Sequence, residues 1–551
     1  MKKALASIIL TALCLGAAAQ NASSFKWGSE DLRYMQDGTI YTAGAGSFTA
    51  PIVKAPVLKG WKGERLNAQA VFKAGPESII SVRSSALVCG KNQIPASSVE
   101  CFAVDYVKAD FYEMIGQDIS MQPDRLVNAD KFKVQAGKTC PVWVSVNIPR
   151  YAVAGTYKGT ITLKAGSQEF KLPISVTVVD RELPKPEEWA FHLDLWQNPY
   201  AVARWFNVPL WSEKHFERMR PIFRRYAEAG GKVITASIIQ HPWNCQTYDP
   251  FEDMIVKMKG IDGKWNYDYT VFDKWIEFML SCGVTEQIDC YTMVPWGYTF
   301  AYIDLATASV KSIECEPGAP EYEAFWLPFL KDFAKHLKDK GWFDITCIAM
   351  DERPTDQMVA ARDIIKKADP GFRLEGAVNY SPEVVDIMHD ISIGYGHSKG
   401  FPEDAVLQRK AQKNYTTLYT CCGPDHPNTF TFSPLAEAEF LGLAISARHY
   451  DGYLRWALNS WPEDPTKDSR FGGWVSGDTW LLYPEGSSIR FERLRAGIQD
   501  FEKVRILRAE GNPTVNAALD KALEPFIPVI TDESINAAKA VKDAKAVINK
   551  F

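Results

Sequence analysis

Two adjacent acids, Asp351 and Glu352, stand directly after the apolar run ITCIAM (345–350). Adjacent acids occur elsewhere in the chain, but only this pair directly follows a stretch that the pattern predicts to be a buried strand. Paired carboxyl groups cleave glycosidic bonds, where one protonates the leaving oxygen and the other acts as the nucleophile. The position of this pair therefore raises the hypothesis of hydrolytic chemistry on a sugar.

The adjacency of the two acids argues for a particular form of that chemistry. A conventional retaining pair flanks the scissile bond with its carboxyl groups about 5 to 5.5 Å apart, and such pairs usually come from different strands. Two neighbours indicate another division of labour, in which one acid handles the proton and the other steers a nucleophile that the substrate carries. The natural candidate is a 2-acetamido group, whose carbonyl oxygen attacks the anomeric carbon and gives an oxazolinium ion.

Three alternatives to this interpretation stay open. A strand-end pair of acids often caps a helix or joins a salt bridge, and Arg353 is an available partner. A conventional retaining glycosidase would place its nucleophile on another strand, for example at Glu375 or Asp289. A secreted glycan-binding protein would keep the sugar site without turnover.

The elements that must position the pair alternate regularly after residue 190. Eight stretches are predicted as strands: FHLDL (191–195), KVITASII (232–239), QIDCYTMV (287–294), FDITCIAM (343–350), RLEGAVN (373–379), DISIGYG (390–396), YTTLYTC (415–421) and YLRWALN (453–459). Helical patterns separate them, and the amphipathic stretch 487–508 supplies an eighth helix. No glycine-rich phosphate loop follows the first strand to favour an open doubly wound sheet. The pattern predicts an α/β fold, a (β/α)8 TIM-like barrel over residues 187–510, followed by a helical extension over 511–551.

Short strands with a period of two precede the barrel. The segment PVWVSVNIP (141–149) places Val142, Val144, Val146 and Ile148 on one face and Trp143, Ser145 and Asn147 on the other. This alternation predicts a half-buried strand, and residues 159–179 predict a hairpin that turns at 165–167. We therefore expect an N-terminal β-sandwich domain over residues 20–186, bounded by the proline-bearing junction RELPKPEEW (181–189).

The residues after each barrel strand are the candidates for the site, because chemistry in this fold lies at the carboxyl ends of the strands. Asp351 and Glu352 are the predicted catalytic residues. Aromatic, amide and imidazole groups suited to a sugar follow other strands, and we predict substrate binding by His241, Trp296, Asn379, Tyr395, His397, Tyr419, His426, Trp456, Asn459 and Trp461. The structural alternatives are a satisfied buried imidazole for each histidine and barrel packing for Trp456.

The composition limits the classes of molecule that the protein is expected to bind. The 551 residues include 62 basic and 67 acidic ones, a net charge of -5 spread without blocks, so no nucleic acid or anionic membrane is expected as a partner. The cysteines form no CxxC pair and no metal-type spacing with histidine, so we predict neither a metal site nor a cofactor. The pairing of the cysteines, including the vicinal Cys421 and Cys422, stays open.

The first residues, MKKALASIILTALCLGAAAQ, have the form of a signal peptide, with a basic start, an apolar stretch and small residues before the cleavage site. We expect cleavage after Ala19, a signal peptide over residues 1–19, and a periplasmic or secreted protein. No later segment offers about 20 uninterrupted apolar residues, so no transmembrane segment is expected.

Several motifs in order resemble glycoside hydrolase family 123. They are IAMDERP around the acidic pair, TLYTCCGPDHPNTF (417–430), YLRWALNSWPEDP (453–465) and GDTWLLYP (477–484). All of them follow the predicted sandwich in the sequence. The resemblance implies a β-N-acetylgalactosaminidase that acts by substrate-assisted retention on a carbohydrate carrying a 2-acetamido sugar. It also implies that Asp351 orients and stabilises the acetamido group, and that Glu352 serves as general acid and then general base.

Overall fold

The computed structural model describes residues 22–42, 46–49, 54–110, 119–378 and 381–551. The predicted signal peptide and Asn379 lie outside these residues. In the part of the chain that is described, no helix is both long and apolar enough to cross a bilayer.

The N-terminal third of the chain consists mainly of strands, most of which form a two-sheet sandwich. Its strands are β1 (Ser24–Gly28), β2 (Arg33–Tyr34), β3 (Thr39–Thr42), β4 (Gly46–Thr49), β5 (Val57–Lys62), β6 (Arg65–Lys73), β7 (Ser78–Ser84), β8 (Leu87–Cys89), β9 (Asn92–Ile94), β10 (Val99–Ala109), β11 (Ser120–Asn128), β12 (Phe132–Val134), β13 (Thr139–Asn147), β14 (Gly155–Ala165) and β15 (Gln168–Glu182). One sheet runs β1-β6-β13-β10-β11 and the other runs β12-β7-β14-β15-β5, while β2, β3 and β4 make a small third sheet. Strands β14 and β15 form the predicted hairpin.

The prediction of a half-buried strand over 141–149 was wrong, because both faces of β13 are buried. Val142, Val144 and Val146 lie in the sandwich core. On the opposite face, Trp143 packs in an apolar cluster with Leu435 and Ile489 of the barrel half. The barrel therefore covers the outer face of this sheet, a contact that the alternation within one strand does not reveal.

The rest of the chain supplies the strands of the barrel, a smaller sheet and one short strand that joins the sandwich. They are β16 (His192–Leu195), β17 (Val233–Ser237), β18 (Val256–Lys259), β19 (Trp265–Asp268), β20 (Gln287–Tyr291), β21 (Thr299–Asp304), β22 (Ser309–Glu314), β23 (Thr346–Met350), β24 (Arg373–Val378), β25 (Asp390–Gly394), β26 (Tyr415–Tyr419), β27 (Gly452–Arg455) and β28 (Ser487–Ser488). An eight-stranded sheet runs β16-β27-β26-β25-β24-β23-β20-β17, and every pairing in it is parallel. These eight are the predicted strands, so the (β/α)8 barrel behind a β-sandwich is confirmed.

The helices lie between and after these strands. They are α1 (Pro199–Phe206), α2 (Glu213–Glu228), α3 (Thr270–Cys282), α4 (Pro320–Lys340), α5 (Thr355–Ala368), α6 (Pro382–Ile387), α7 (Glu403–Ala411), α8 (Ala436–Ala447), α9 (Ile489–Ala509), α10 (Pro513–Leu523) and α11 (Ala537–Ile548). Short 3-10 turns cover Ala96–Ser98, Pro186–Glu188, Phe343–Ile345, His397–Gly400 and Glu524–Phe526.

A side chain helps to close the barrel between its first two strands. Backbone pairing there is limited to the bridge between Leu193 and Gly231 and the adjoining bond from Lys232 N to Leu193 O at 3.0 Å. The Gln197 amide continues the ladder, because its Oε1 accepts from Thr235 N at 2.9 Å and its Nε2 donates to Val233 O at 3.1 Å. The residues that follow β16 and β17, at the carboxyl end of the barrel, are thereby held next to each other.

Helix α9 is buried on nearly all sides between the barrel and the sandwich. Its polar side chains pair across that contact, as Arg490 does with Asp124 at 3.0 Å and Lys503 with Glu64 at 2.8 Å. Strand β28, which precedes the helix, also joins the sandwich sheet by pairing with β11. The sandwich thus packs firmly on the barrel side that carries α9.

Strands β18, β19, β21 and β22 form a four-stranded sheet that the alternation of strands and helices did not predict. They lie in the two connections between β17 and α3 and between β20 and α4. Phe300 of β21 contacts Tyr322 and Trp326 of helix α4, so the sheet packs onto the outside of the barrel.

Candidate active site

A cavity of about 160 Å³ lies at the carboxyl ends of the barrel strands. Its walls are formed by Trp196, Trp243, Gln246, Trp296, Asp351, Glu352, Ala377, Tyr419, Cys421, Cys422, Leu454, Trp456 and Trp474. These residues come from strands and loops spread around the barrel, so barrel closure brings them together. Indole rings on several sides with two carboxyl groups between them suit the apolar faces and hydroxyl groups of a sugar.

Asp351 is held by hydrogen bonds to both of its carboxyl oxygens. Trp296 Nε1 donates to Oδ2 at 2.9 Å, and the backbone N of Glu352 donates to Oδ1 at 2.9 Å. Removal of the carboxyl group from water raises the pKa of Asp351 to about 6, although the bond from Trp296 favours the charged form. The carboxyl is thus fixed in direction, and its pKa lies above that of an ordinary aspartate.

Glu352 is exposed to the cavity and contacts Tyr419, whose phenol donates to Glu352 Oε1. Burial and the neighbouring carboxylate of Glu352 raise the pKa of Tyr419, so its phenol keeps its proton. Strand β26 therefore supplies a donor that orients the second acid.

Arg353 completes a chain of contacts behind the acidic pair. Its guanidinium lies over the Trp296 ring, 4.7 Å from the centroid, and its Nη2 donates to the Tyr298 hydroxyl at 2.6 Å. Tyr298 in turn donates to Gln357 Oε1 at 2.5 Å. The guanidinium thus supports one face of the Trp296 ring, whose side chain is otherwise 41% exposed.

The pair of acids does not cap the following helix. Helix α5 begins at Thr355, and the residue before it is Pro354, which has no side-chain cap. The helix-capping alternative is therefore wrong.

Aromatic rings build two sides of the cavity. Trp196 and Trp243 stack with ring centroids 4.9 Å apart, and Tyr291 lies beneath both at 4.6 and 5.0 Å. On another side Trp456 packs against Trp474 at 5.1 Å. The indole nitrogens of this second pair are engaged, since Trp456 donates to Asp478 at 3.2 Å and Trp474 to Gln246 O at 3.1 Å. Fixed indoles present flat faces at low entropic cost.

The two acids considered as alternative nucleophiles lie inside the barrel, away from the cavity walls. Asp289 and Glu375 are 0% and 1% exposed, and Tyr291 donates to Glu375 Oε2 at 2.9 Å below the Trp196 and Trp243 rings. Burial raises the pKa of both carboxyl groups well above the ordinary range, with nearby acids adding to the effect. Each carboxyl is thus kept neutral and covered, which is the opposite of what a nucleophile requires.

Of the ten predicted substrate-binding residues, the cavity brings together Trp296, Tyr419 and Trp456. Asn379 lies outside the described residues. The other six are not among the cavity walls: His241, Tyr395, His397, His426, Asn459 and Trp461.

The contacts of these six residues explain their positions. His426 pairs with Glu437 at 2.6 Å, Trp461 donates to Leu482 O at 2.7 Å, and Asn459 bonds the backbone of Asn198. His241 Nδ1 lies 3.3 Å from Cys245 Sγ. Tyr395 is buried, and His397 is exposed in a 3-10 turn.

Several wall residues were not predicted. Gln246 and Trp474 lie on long loops, about ten and twenty residues beyond the ends of β17 and β27. At that distance from a strand, the sequence does not indicate whether a side chain reaches the cavity. Trp196 and Trp243 carried a signal, since each closely follows a strand in the rim pattern. Cys421 and Cys422 lie two and three residues beyond the end of β26, and their adjacency was the only sign in the sequence.

Comparison with known proteins places this site in a family. A family model described as the glycoside hydrolase 123 catalytic domain matches residues 196–507, and one described as the glycoside hydrolase 123 N-terminal domain matches residues 27–165. No curated protein sequence matches the chain.

One solved structure gives the same result. A family 123 glycoside hydrolase from Clostridium perfringens is similar with 25% identity and a TM-score of 0.87, over 96% of this chain and 98% of that one. A GH10 xylanase with a bacterial Ig-like domain, from termite gut, has 11% identity and a TM-score of 0.32, over 74% and 94% of the chains. A β-glucuronidase from Parabacteroides merdae has 8% identity and a TM-score of 0.30, over 80% and 50%. The last two likenesses are too weak to bear on the site, but the domain matches and the first structure agree: the chain belongs to glycoside hydrolase family 123.

Proposed function

We propose that this glycoside hydrolase is exo-acting and releases terminal β-linked N-acetylgalactosamine from glycans or glycolipids by a retaining, substrate-assisted mechanism. The observation that carries the proposal is the placement of Asp351, whose carboxyl is fixed by Trp296 at 2.9 Å beside the proton-handling group Glu352 in one cavity. The similar Clostridium perfringens structure is described in terms of glycolipid glycan hydrolysis, which supports the same substrate class here.

In the first step Glu352 gives a proton to the glycosidic oxygen while the acetamido carbonyl oxygen of the substrate attacks the anomeric carbon. The C–O bond to the leaving group breaks, and a neutral alcohol departs. Asp351, as the carboxylate, accepts a hydrogen bond from the acetamido N–H and stabilises the positive charge of the oxazolinium ion. The indole N–H of Trp296 keeps one Asp351 oxygen directed, and Tyr419 does the same for Glu352.

In the second step Glu352, now a carboxylate, takes a proton from water as the water oxygen attacks the anomeric carbon. The oxazolinium ring opens to restore the acetamido group. The sugar leaves with the β configuration it had in the substrate, because both displacements invert the same carbon.

The size of the cavity supports an exo action. At about 160 Å³ it is smaller than the pockets of about 300 to 1,000 Å³ that hold drug-sized ligands, so it has room for a single sugar unit. The Trp196 and Trp243 pair offers a stacked floor, and the Trp456 and Trp474 pair offers a side wall.

Two earlier alternatives have less support. A conventional nucleophile on another strand would need to be an ionised acid in the cavity, whereas Asp289 and Glu375 are buried and kept neutral by that burial. A glycan-binding protein without turnover would not need a second acid directed by a phenol, as Glu352 is.

We also propose that the chain is exported after cleavage of residues 1–19, with domain limits of 20–186 for the sandwich, 187–510 for the barrel and 511–551 for the extension. The mass of the mature protein recovered from the medium or periplasm, beginning at Gln20, would support export. Recovery of the uncleaved chain from the cytoplasm would contradict it.

A paired assay tests the proposed activity. The purified protein is given p-nitrophenyl N-acetyl-β-galactosaminide and p-nitrophenyl N-acetyl-β-glucosaminide in parallel, and proton NMR identifies the anomer released first. We expect preferential release from the galactosaminide with the β-anomer first. Preference for the glucosaminide would contradict the assigned sugar, and an α-anomer would contradict retention.

The nucleophile needs a separate measurement. An N-acetylgalactosamine thiazoline mimics the oxazolinium ion, so we expect it to inhibit competitively and tightly. Weak inhibition together with a covalent glycosyl-enzyme trapped by a fluoro-sugar would contradict the assisted mechanism.

A further inference from the structure

The loop after strand β26 carries two consecutive cysteines in the wall of the cavity. Cys421 and Cys422 both line the cavity, their Sγ atoms are 3.9 Å apart, and Cys422 is exposed. We propose that this pair is a modification site, a vicinal dithiol that small-molecule disulfides oxidise reversibly to an intramolecular disulfide within the wall of the substrate pocket.

The loop is held in a shape that keeps the two thiols together. Cys421 N donates to Gly423 O at 3.0 Å, and Asn428 Nδ2 donates to Cys421 O at 3.0 Å and to Pro424 O at 2.7 Å. Asn428 is itself fixed, because Arg455 Nη1 donates to its Oδ1 at 2.9 Å. The backbone is therefore anchored on both sides of the thiols. Closing the ring needs rotation of the two side chains and a local adjustment of the peptide between them, because adjacent Cα atoms lie closer together than in most disulfides.

The reaction proceeds by ordinary thiol-disulfide exchange. The thiolate of Cys422 attacks a small disulfide such as oxidised glutathione, and one glutathione thiolate leaves. The thiolate of Cys421 then attacks Sγ of the mixed disulfide and expels the second glutathione. Two cysteine thiols are oxidised, one external disulfide is reduced to two thiols, and the two protons pass to the departing thiolates.

Ring formation changes the wall of the pocket. The two Sγ atoms approach from 3.9 Å to the bonded distance of about 2.05 Å, and two S–H groups are lost. Tyr419, the partner of Glu352, is two residues away on the same strand end. Since the acids themselves are untouched, we expect oxidation to change KM severalfold while kcat changes less. This second effect rests on the proposed function, whereas ring formation does not.

The test uses the full-length protein with Cys245→Ser, because Cys245 is the other exposed cysteine among the described residues. The protein is incubated with oxidised glutathione, digested without reduction, and its peptides are weighed. We expect the peptide with both cysteines to lose two hydrogen atoms and to regain them with a dithiol reductant. The matched control Cys245→Ser/Cys422→Ser keeps Cys421 and should form no ring.

The outcomes separate the two claims. Stable glutathione adducts on Cys422 with no ring, while the protein stays folded by circular dichroism, would overturn the modification site. A ring that forms without altering KM would overturn its place in the substrate wall. Absence of hydrolysis by the fully reduced enzyme would instead count against the proposed function, since the mass measurement needs no substrate.

Discussion

The indole nitrogen of Trp296 donates a hydrogen bond to Asp351 Oδ2 at 2.9 Å, which joins the loop after β20 to the end of β23. The bond is backed by the Arg353 guanidinium, stacked on the indole ring at 4.7 Å. It acts against desolvation, which raises the pKa of Asp351 to about 6. Trp296 therefore favours the charged form of the residue that we assign to the acetamido group.

Replacement of Trp296 by Phe should move the acidic limb of the pH profile of kcat/KM to higher pH. The carboxylate of Asp351 is the active form, and the indole N–H stabilises it, so loss of the bond raises the Asp351 pKa above about 6. Loss of a hydrogen bond to a partly buried carboxylate corresponds to a rise in its pKa of about one unit.

The matched control is Trp474→Phe, because Trp474 lines the same cavity but donates to Gln246 O. Its acidic limb should stay in place, even if KM rises. Equal shifts in both variants would mean that loss of an indole, and not of this hydrogen bond, moves the limb.

Replacement of Asp351 by Asn should lower kcat on an N-acetylgalactosaminide by about 10²- to 10³-fold, the usual cost of losing one electrostatic stabiliser of the transition state. The amide matches the carboxylate in size, so folding is preserved. The exposed Asp356→Asn, in the first turn of helix α5, is the control and should keep its rate. Near-normal turnover by the Asp351 variant would rule out the assisted mechanism.

Replacement of Glu352 by Gln should abolish most activity on substrates with poor leaving groups. General acid catalysis contributes about 10²- to 10⁴-fold, and it is needed most when the leaving alcohol is a weak acid. A p-nitrophenyl and a methyl glycoside are compared, and the loss should be larger for the methyl glycoside. An equal loss on both would mean that Glu352 does not protonate the leaving group.

Replacement of Tyr419 by Phe should lower kcat more than it changes KM, because the phenol directs Glu352 and the loss is felt when the proton moves. Tyr395→Phe is a useful comparison, since Tyr395 is also buried near the rim but is not a cavity wall. We expect a loss of about tenfold in kcat for Tyr419→Phe, in line with one misdirected hydrogen bond. A similar loss in the Tyr395 variant would indicate a packing effect.

Replacement of Asp289 by Asn should stabilise the protein at pH 8 and have little effect at pH 4. Burial raises the Asp289 pKa well above normal, so the folded state keeps a proton that the unfolded state loses above about pH 3.9. The free energy of unfolding of the wild-type protein therefore falls as the pH rises, and an amide at position 289, which does not titrate, avoids this loss. Asn can still accept from Gln287 through its amide oxygen, as Asp289 Oδ1 does at 3.0 Å.

Differential scanning calorimetry at the two pH values checks this prediction, with a gain of about 2 °C or more expected at pH 8. Asp363→Asn, an exposed change on helix α5, serves as the control. A gain of equal size at pH 4 would contradict the assignment to protonation.

Much of the fold was predictable because each barrel strand is buried on both faces and appears as a short apolar run between amphipathic helices. The same logic placed Asp351 and Glu352 at a strand end. It failed for β13, whose polar-looking face is covered by the barrel, and for the sheet of β18, β19, β21 and β22, whose strands are half-exposed and lie in long connections.

The sequence by itself determined the alternation of strands and helices, the number of barrel strands and the position of the acidic pair, because these depend on local patterns of burial. Only the tertiary structure decided which rim side chains meet. Trp461 and His426 follow barrel strands as Trp296 does, yet they turn to Leu482 and Glu437, while Trp474 reaches the cavity from a distant loop. Closure of the ring and the packing of its loops set these directions, and both depend on contacts between residues far apart in sequence.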